Sequence, residues 1–165
     1  MNISHITHSL STSPSYIEWH TNHADAYLSS ILFMRKEQEE TITAHYYVPS
    51  NDTITTFNIT QHHINLEQEN QPILKKEHTT INPLNLHNVV ITPQQAIQAA
   101  THHLKITYPR EKPTTTIAIL QHGDKEVWNV SIITSSMHIL RTTIDAASGT
   151  ITAQELENLM TFKKK

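Results

Sequence analysis

The sequence predicts an α+β fold in which an antiparallel sheet meander carries a helix packed on one face. Three observations lead there. Thr92-Pro93-Gln94-Gln95 is a helix start: Thr92 can cap, Pro93 suits the first helical position, and Gln95 sits where a capping-box partner belongs. Runs rich in β-branched residues then follow over Thr114–Leu120, Glu126–Thr134 and Met137–Asp145, divided by turn-forming residues. Finally, 165 residues with 37% apolar content suffice for a packed core.

In chain order, Met1 to Thr12 is polar and without period and is expected to be a loose arm. Ser13-Pro14 makes an N-cap and first-turn pair for a short helix ending near His23. Ala26 to Met34 alternates as a strand with both faces partly covered, and the charged run Arg35 to Glu40 reads as a solvated connection or the frayed end of a strand. Strands at Thr41–Val48 and Thr53–Thr60 flank a turn at Pro49-Ser50-Asn51-Asp52, and His62–Leu66 is a further short strand. Residues 73–88 lack a period and contain Pro83, so they form a linker that partly packs down.

The helix from Pro93 to Ile106 places Ala96, Ile97, Ala100 and Leu104 on one stripe, expected to lie beside Trp128 or Ile132. It should stop before Tyr108-Pro109, because proline disfavours helical geometry in the residue ahead of it. Gln121-His122-Gly123-Asp124 is a turn with Gly123 where positive φ is tolerated. Trp128, Val130 and Ile132 share one face of their strand, and Leu140, Thr142 and Ile144 one face of the next. A short strand at Thr150–Ala153 leads to a last helix through Leu156, Leu159 and Met160 and a solvated lysine tail.

Composition excludes several function classes. Twelve Lys plus Arg against 15 Asp plus Glu leave a formal charge of −3, with no basic surplus for nucleic acid. With no Cys there is no disulfide, thiolate nucleophile or Cys-ligated zinc, and with 2 Gly no dinucleotide or phosphate-binding glycine loop. The N-terminal residues show neither a basic segment nor a long apolar run, so no membrane-spanning segment is expected. That favours the cytoplasm, or an extracytoplasmic location if an export signal has been removed.

A helix with an alanine stripe (Ala96, Ala99, Ala100), a strand bearing Trp128, and a strand closing in Ile144-Asp145 with Gly149 and Ile151 together resemble a PepSY domain over roughly residues 89–153. The resemblance implies a PepSY-like domain at 89–160, joined by the 73–88 linker to a helix-plus-meander unit at 13–72. Val48-Pro49-Ser50-Asn51-Asp52-Thr53-Ile54-Thr55 echoes Ile144 to Thr152, and Ser13-Pro14 echoes Thr92-Pro93. If the first unit is a degenerate copy, two cystatin-like or PepSY-like repeats result. Asp145 and Gly149 are expected to be structural turn residues, the one accepting amide bonds and the other taking positive φ.

No catalytic, cofactor-binding or metal residue is expected, and no cofactor. His20 and His23, with Asp25 nearby, have a spacing that zinc accepts, but 13 His make such coincidences common. PepSY domains accompany protease propeptides and extracytoplasmic proteins. The resemblance therefore implies a non-catalytic binding or regulatory module that recognises peptides or inhibits a peptidase, with a protein or peptide partner. The alternative is a small-ligand or enzymatic pocket between helix and curved sheet, lined by Trp19, Tyr46, Tyr47 and Trp128.

Overall fold

The computed structural model describes residues 2–73 and 79–164. Two helices, α1 (Ile3–Ser11) and α2 (Pro14–Thr21), precede strands β1 (Tyr27–Lys36), β2 (Glu39–Val48), β3 (Thr53–Ile59) and β4 (Ile64–Pro72). A 3-10 turn at Leu86–Asn88 leads into α3 (Pro93–Thr107), followed by β5 (Pro113–His122), β6 (Glu126–Thr134), β7 (His138–Asp145) and β8 (Ile151–Asn158). The chain is thus α+β, with an antiparallel meander as expected.

All eight of these strands belong to one sheet, ordered β4-β3-β2-β1-β5-β6-β7-β8. A helix followed by a four-stranded meander occurs twice, and the first strand of each meander lies in the middle. There β1 and β5 pair antiparallel from Ser30 opposite Gln121 to Lys36 opposite Thr115. The echoing turns occupy different places in this order: Pro49–Asp52 joins β2 to β3, whereas Ala146–Thr150 joins β7 to β8.

One face of the sheet buries alternate residues. Ile31 and Phe33, Ala44 and Tyr46, Phe57, Ala118 and Leu120, then Trp128, Val130 and Ile132 form a single core with the helices. α3 lies on β5, β6 and β7, and its capping box is complete, with Thr92 and Gln95 bonding each other's amides at 3.2 and 2.9 Å. Ala96, Ala100 and Leu104 are fully buried, while Ile97 is only half-buried at the side of the stripe. The small alanines let the helix backbone approach the sheet closely.

Several expectations need correction. The N-terminal segment is not a loose arm but a helix. Asn2 caps it through the Ser4 amide, and Ile3, Ile6 and Leu10 recur at helical spacing and are buried. The Arg35–Glu40 run is a tight hairpin, with Glu37 at φ 57 and an Arg35–Glu40 ion pair across the ladder. Gly123 does not use positive φ; among the described glycines Gly149 does. The C-terminal helix is absent: β8 runs on through Leu156 to Asn158, because Leu156 packs on the core opposite Leu140, and only a 3-10 segment at Leu159–Lys164 follows.

Within the linker, residues 74–78 lie outside the described residues. The remainder packs down: Tyr27 donates its hydroxyl to the Ile81 carbonyl at 2.7 Å, and the Leu84 amide donates to Leu28 at 2.9 Å. Near the C-terminus, the lysine side chains at 163–165 also lie outside the described residues.

The packing of α3 gives a direct test. Leu104 is fully buried, so Leu104→Ala should cost about 2–5 kcal/mol in urea denaturation through lost burial and the cavity left behind. Ile106, 67% exposed on the same helix, should tolerate alanine within about 0.5 kcal/mol. Equal costs would place the helix on the wrong face.

Candidate functional site

The β7–β8 turn and the β5–β6 hairpin meet at one end of the sheet and hold the chain that enters α3. The Asp145 carboxylate accepts the amides of Ala147 and Ser148 at 2.8 and 2.9 Å and is paired with Lys125. The Lys125 bond and then the two amides keep its pKa well below the usual carboxylate range. Gly149 sits at φ 78 with its amide on the Asp145 carbonyl, and a Cβ there would lie 3.1 Å from Ile91. The Ala146 carbonyl accepts both Val90 and Ile91 amides, and Trp128 donates its indole N–H to the Ile91 carbonyl at 3.0 Å.

Glu126, 2% exposed, completes this anchor, and nothing in the sequence pattern singles it out. Burial pushes its pKa up, but bonds from the His122 ring, the Asn85 amide and the Asn88 side chain, at 2.8, 2.9 and 3.2 Å, overcome that and hold it down to about 2. Its bonding capacity is spent on His122 and the linker, so the carboxylate is ill placed for proton transfer to a ligand.

The expected pocket aromatics do not converge. Trp19 and Tyr46 are buried together, rings 5.7 Å apart, in a cluster with Tyr16 and Phe57. Trp128 packs against Phe33 elsewhere in the core. Tyr47 meets the Tyr27 ring and donates its hydroxyl to Asp52 at 2.6 Å. These four side chains build the core and a surface hairpin rather than lining one cavity.

The zinc-spaced histidines are otherwise engaged. His20 stacks on Tyr16, and His23 stacks on Trp19 while donating through Nδ1 to its carbonyl at 2.8 Å. Asp25 instead accepts the Ser50 amide at 2.8 Å. Among the described residues no group of three or more His, Asp or Glu is placed to hold a metal ion.

Opposite the helices, the strand registers set side chains in rows. Leu32 stands between Thr43 and Ile119, Met34 beside Ile117, and Ile133 between Thr115 and Ile139. His45 lies on this face, with its Nδ1 2.9 Å from the Ser30 hydroxyl and its Nε2 3.3 Å from Thr43, and burial lowers its pKa. A serine beside an imidazole invites a nucleophilic reading. Here, however, the second ring nitrogen meets a hydroxyl rather than a carboxylate, and both strands are interior, with their amides committed to neighbours on either side.

The sheet edges differ. β4 pairs with β3 through two register shifts, turns Asn70 to φ 54 and ends in Pro72, features that blunt an edge. β8 pairs regularly from Ala153 to Asn158. The Leu159 amide donates to Met137 at 2.8 Å, which fixes the antiparallel alternation. Glu157, Glu155 and Ala153 therefore exchange bonds with β7, and Asn158, Leu156 and Gln154 turn their backbone groups outward.

Two substitutions test the anchor. Glu126→Gln should lower stability by about 1.5–3 kcal/mol at neutral pH, the worth of bonds to a charged group. Because the folded pKa of about 2 lies below the ordinary 4.5, the stabilisation is complete above pH 4.5 and fades as pH falls toward 2. The two unfolding curves should converge across that window, and a constant gap would mean that the charge contributes nothing. Gly149→Ala should cost more than about 1 kcal/mol, since the residue would keep positive φ and crowd Ile91.

No family model and no curated protein matches the sequence. Among solved structures, the fold is similar to that of a protein described as a candidate lipoprotein from Clostridium difficile 630, with a TM-score of 0.55 and 17% sequence identity, over 86% of this chain and 89% of that one. At that identity the likeness extends to the fold alone.

Proposed function

We propose that this chain is a non-catalytic, PepSY-like binding module that takes up an extended segment of a partner protein along β8. The observation that carries this reading is the regular outer edge of β8, where the backbone groups of Gln154, Leu156 and Asn158 point away from the sheet. An extended peptide added there gains main-chain bonds, and its alternate side chains reach either the open face or the border of α3. Residues 152–155 are exposed, so such a strand meets no obstruction from their side chains.

The remaining chemistry favours binding over catalysis. Glu126 and Asp145, the carboxylates most perturbed by their surroundings, and the buried His45 are each held by internal partners. The arrangement of helix and meander in each half supports the resemblance drawn from Ile144-Asp145 and Gly149. Peptidase inhibition is one outcome of such strand capture, since an enzyme's extended loop would be occupied by the added strand.

The test is selection of peptides from a displayed library on the immobilised full chain, followed by titration of the enriched peptide. Gln154→Pro removes an outward amide while leaving the β7 ladder intact, as proline permits on an edge. It should weaken binding at least tenfold with unchanged circular dichroism. Binding that survives Gln154→Pro at full strength would rule out the β8 edge.

A further inference from the structure

Away from β8, the helix-bearing side of the sheet contains a groove of 940 Å³ between the two N-terminal helices and the β3–β4 turn. Its floor is apolar, formed by Ile6, Ile42, Ile59 and Ile64. Around the rim stand three imidazoles, those of His5, His62 and His63. A second cavity of 220 Å³ beside α3 shares Glu40 and Ile42 with it and extends the apolar lining to Phe33 and Ile97. The larger volume alone falls within the range of about 300–1,000 Å³ typical of small-molecule sites.

The rim histidines are distinguished by their grouping along one groove. His23, His45, His103, His122 and His138 each have a hydrogen-bond partner, and His20 has the Tyr16 ring. Among the described residues, the rings of His5, His62 and His63 make no such bond; those of His8, His87 and His102 make none either, but the first three line one groove. Neutral imidazole offers one N–H donor and imidazolium two, so three unengaged rings spaced along one rim offer donors to an acceptor-rich head group. The nearby carboxylate, Glu40, is already paired with Arg35 and does not compete for them. Metal binding is a poor match, since these rings do not come together as a ligand set.

We infer that this groove binds a long-chain carboxylate, with the hydrocarbon tail along the isoleucine floor and the head group among His5, His62 and His63. Burial of the tail supplies the affinity, and the imidazole donors fix which end lies outward. This site is separate from the β8 edge, and neither reading depends on the other.

Isothermal titration of the full chain with palmitate, below its critical micelle concentration, tests the inference. Saturable binding with one site per chain is expected. Ser9→Trp, on the half-buried helical wall of the groove, should weaken it at least tenfold by filling space. His62→Glu combined with His63→Glu, both exposed, should weaken it similarly by placing like charge at the head group. Dodecyltrimethylammonium should bind at least tenfold more weakly than dodecanoate. Circular dichroism and thermal melts confirm that the variants fold, and should one fail, the other still decides. The inference is overturned if palmitate fails to bind, if both folded variants bind as the parent does, or if the cationic amphiphile binds as well as the anionic one.

Discussion

The antiparallel pairing of β1 with β5 is the constraint on which the rest depends. Among the described strands, every other ladder joins neighbours in sequence, which a hairpin or short turn can form locally. Only this one joins residues as distant as Leu32 and Ile119, and it turns two four-stranded meanders into one sheet. Because the first strand of each half is central, the helices of both halves are brought to the same face and share one core. The last strand of each half is thereby pushed to an outer edge, which is why β4 and β8 are the strands with unpaired sides.

The anchor at the end of the sheet follows from that arrangement. The chain leaves β4 at one edge and must cross to enter α3 over the other half, and Glu126, Ala146 and Trp128 hold the crossing segment by its backbone. Buried polar groups here are paired, as their desolvation requires. Two buried atoms lack partners among the described residues, the Trp19 indole nitrogen and the Thr55 hydroxyl, and both belong to the aromatic half of the core.

Much of the fold is legible in the sequence where local signals are strong. β6 is recognisable because Trp128, Val130 and Ile132 alternate with Asn129 and Ser131, and α3 because Thr92, Pro93 and Gln95 fix its start chemically. α1 is obscured because only Ile3, Ile6 and Leu10 carry its stripe among Ser, Thr and His. At the C-terminus, Leu156 and Leu159 satisfy a helical spacing as well as a strand, and only the partner strand β7 decides between them. The site is less legible still. Asp145 and Gly149 stand out as turn chemistry, but Glu126 matters through Asn85 and Asn88, and the outward amides of β8 depend on register. Such partners are remote in sequence and leave no local pattern.

The central position of β1 also has a consequence for synthesis. As the chain emerges from the ribosome, α1 through β4 are complete before β5 exists, so β1 for a time has a bare side facing water. That side runs through Ile31-Leu32-Phe33-Met34, apolar on both faces and extended. A strand of this kind is a template for pairing with another chain, and the delay lasts as long as the linker and α3 take to be made. The nascent protein is therefore most exposed to misassembly midway through translation, and arrival of Ile117 to Leu120 ends that interval.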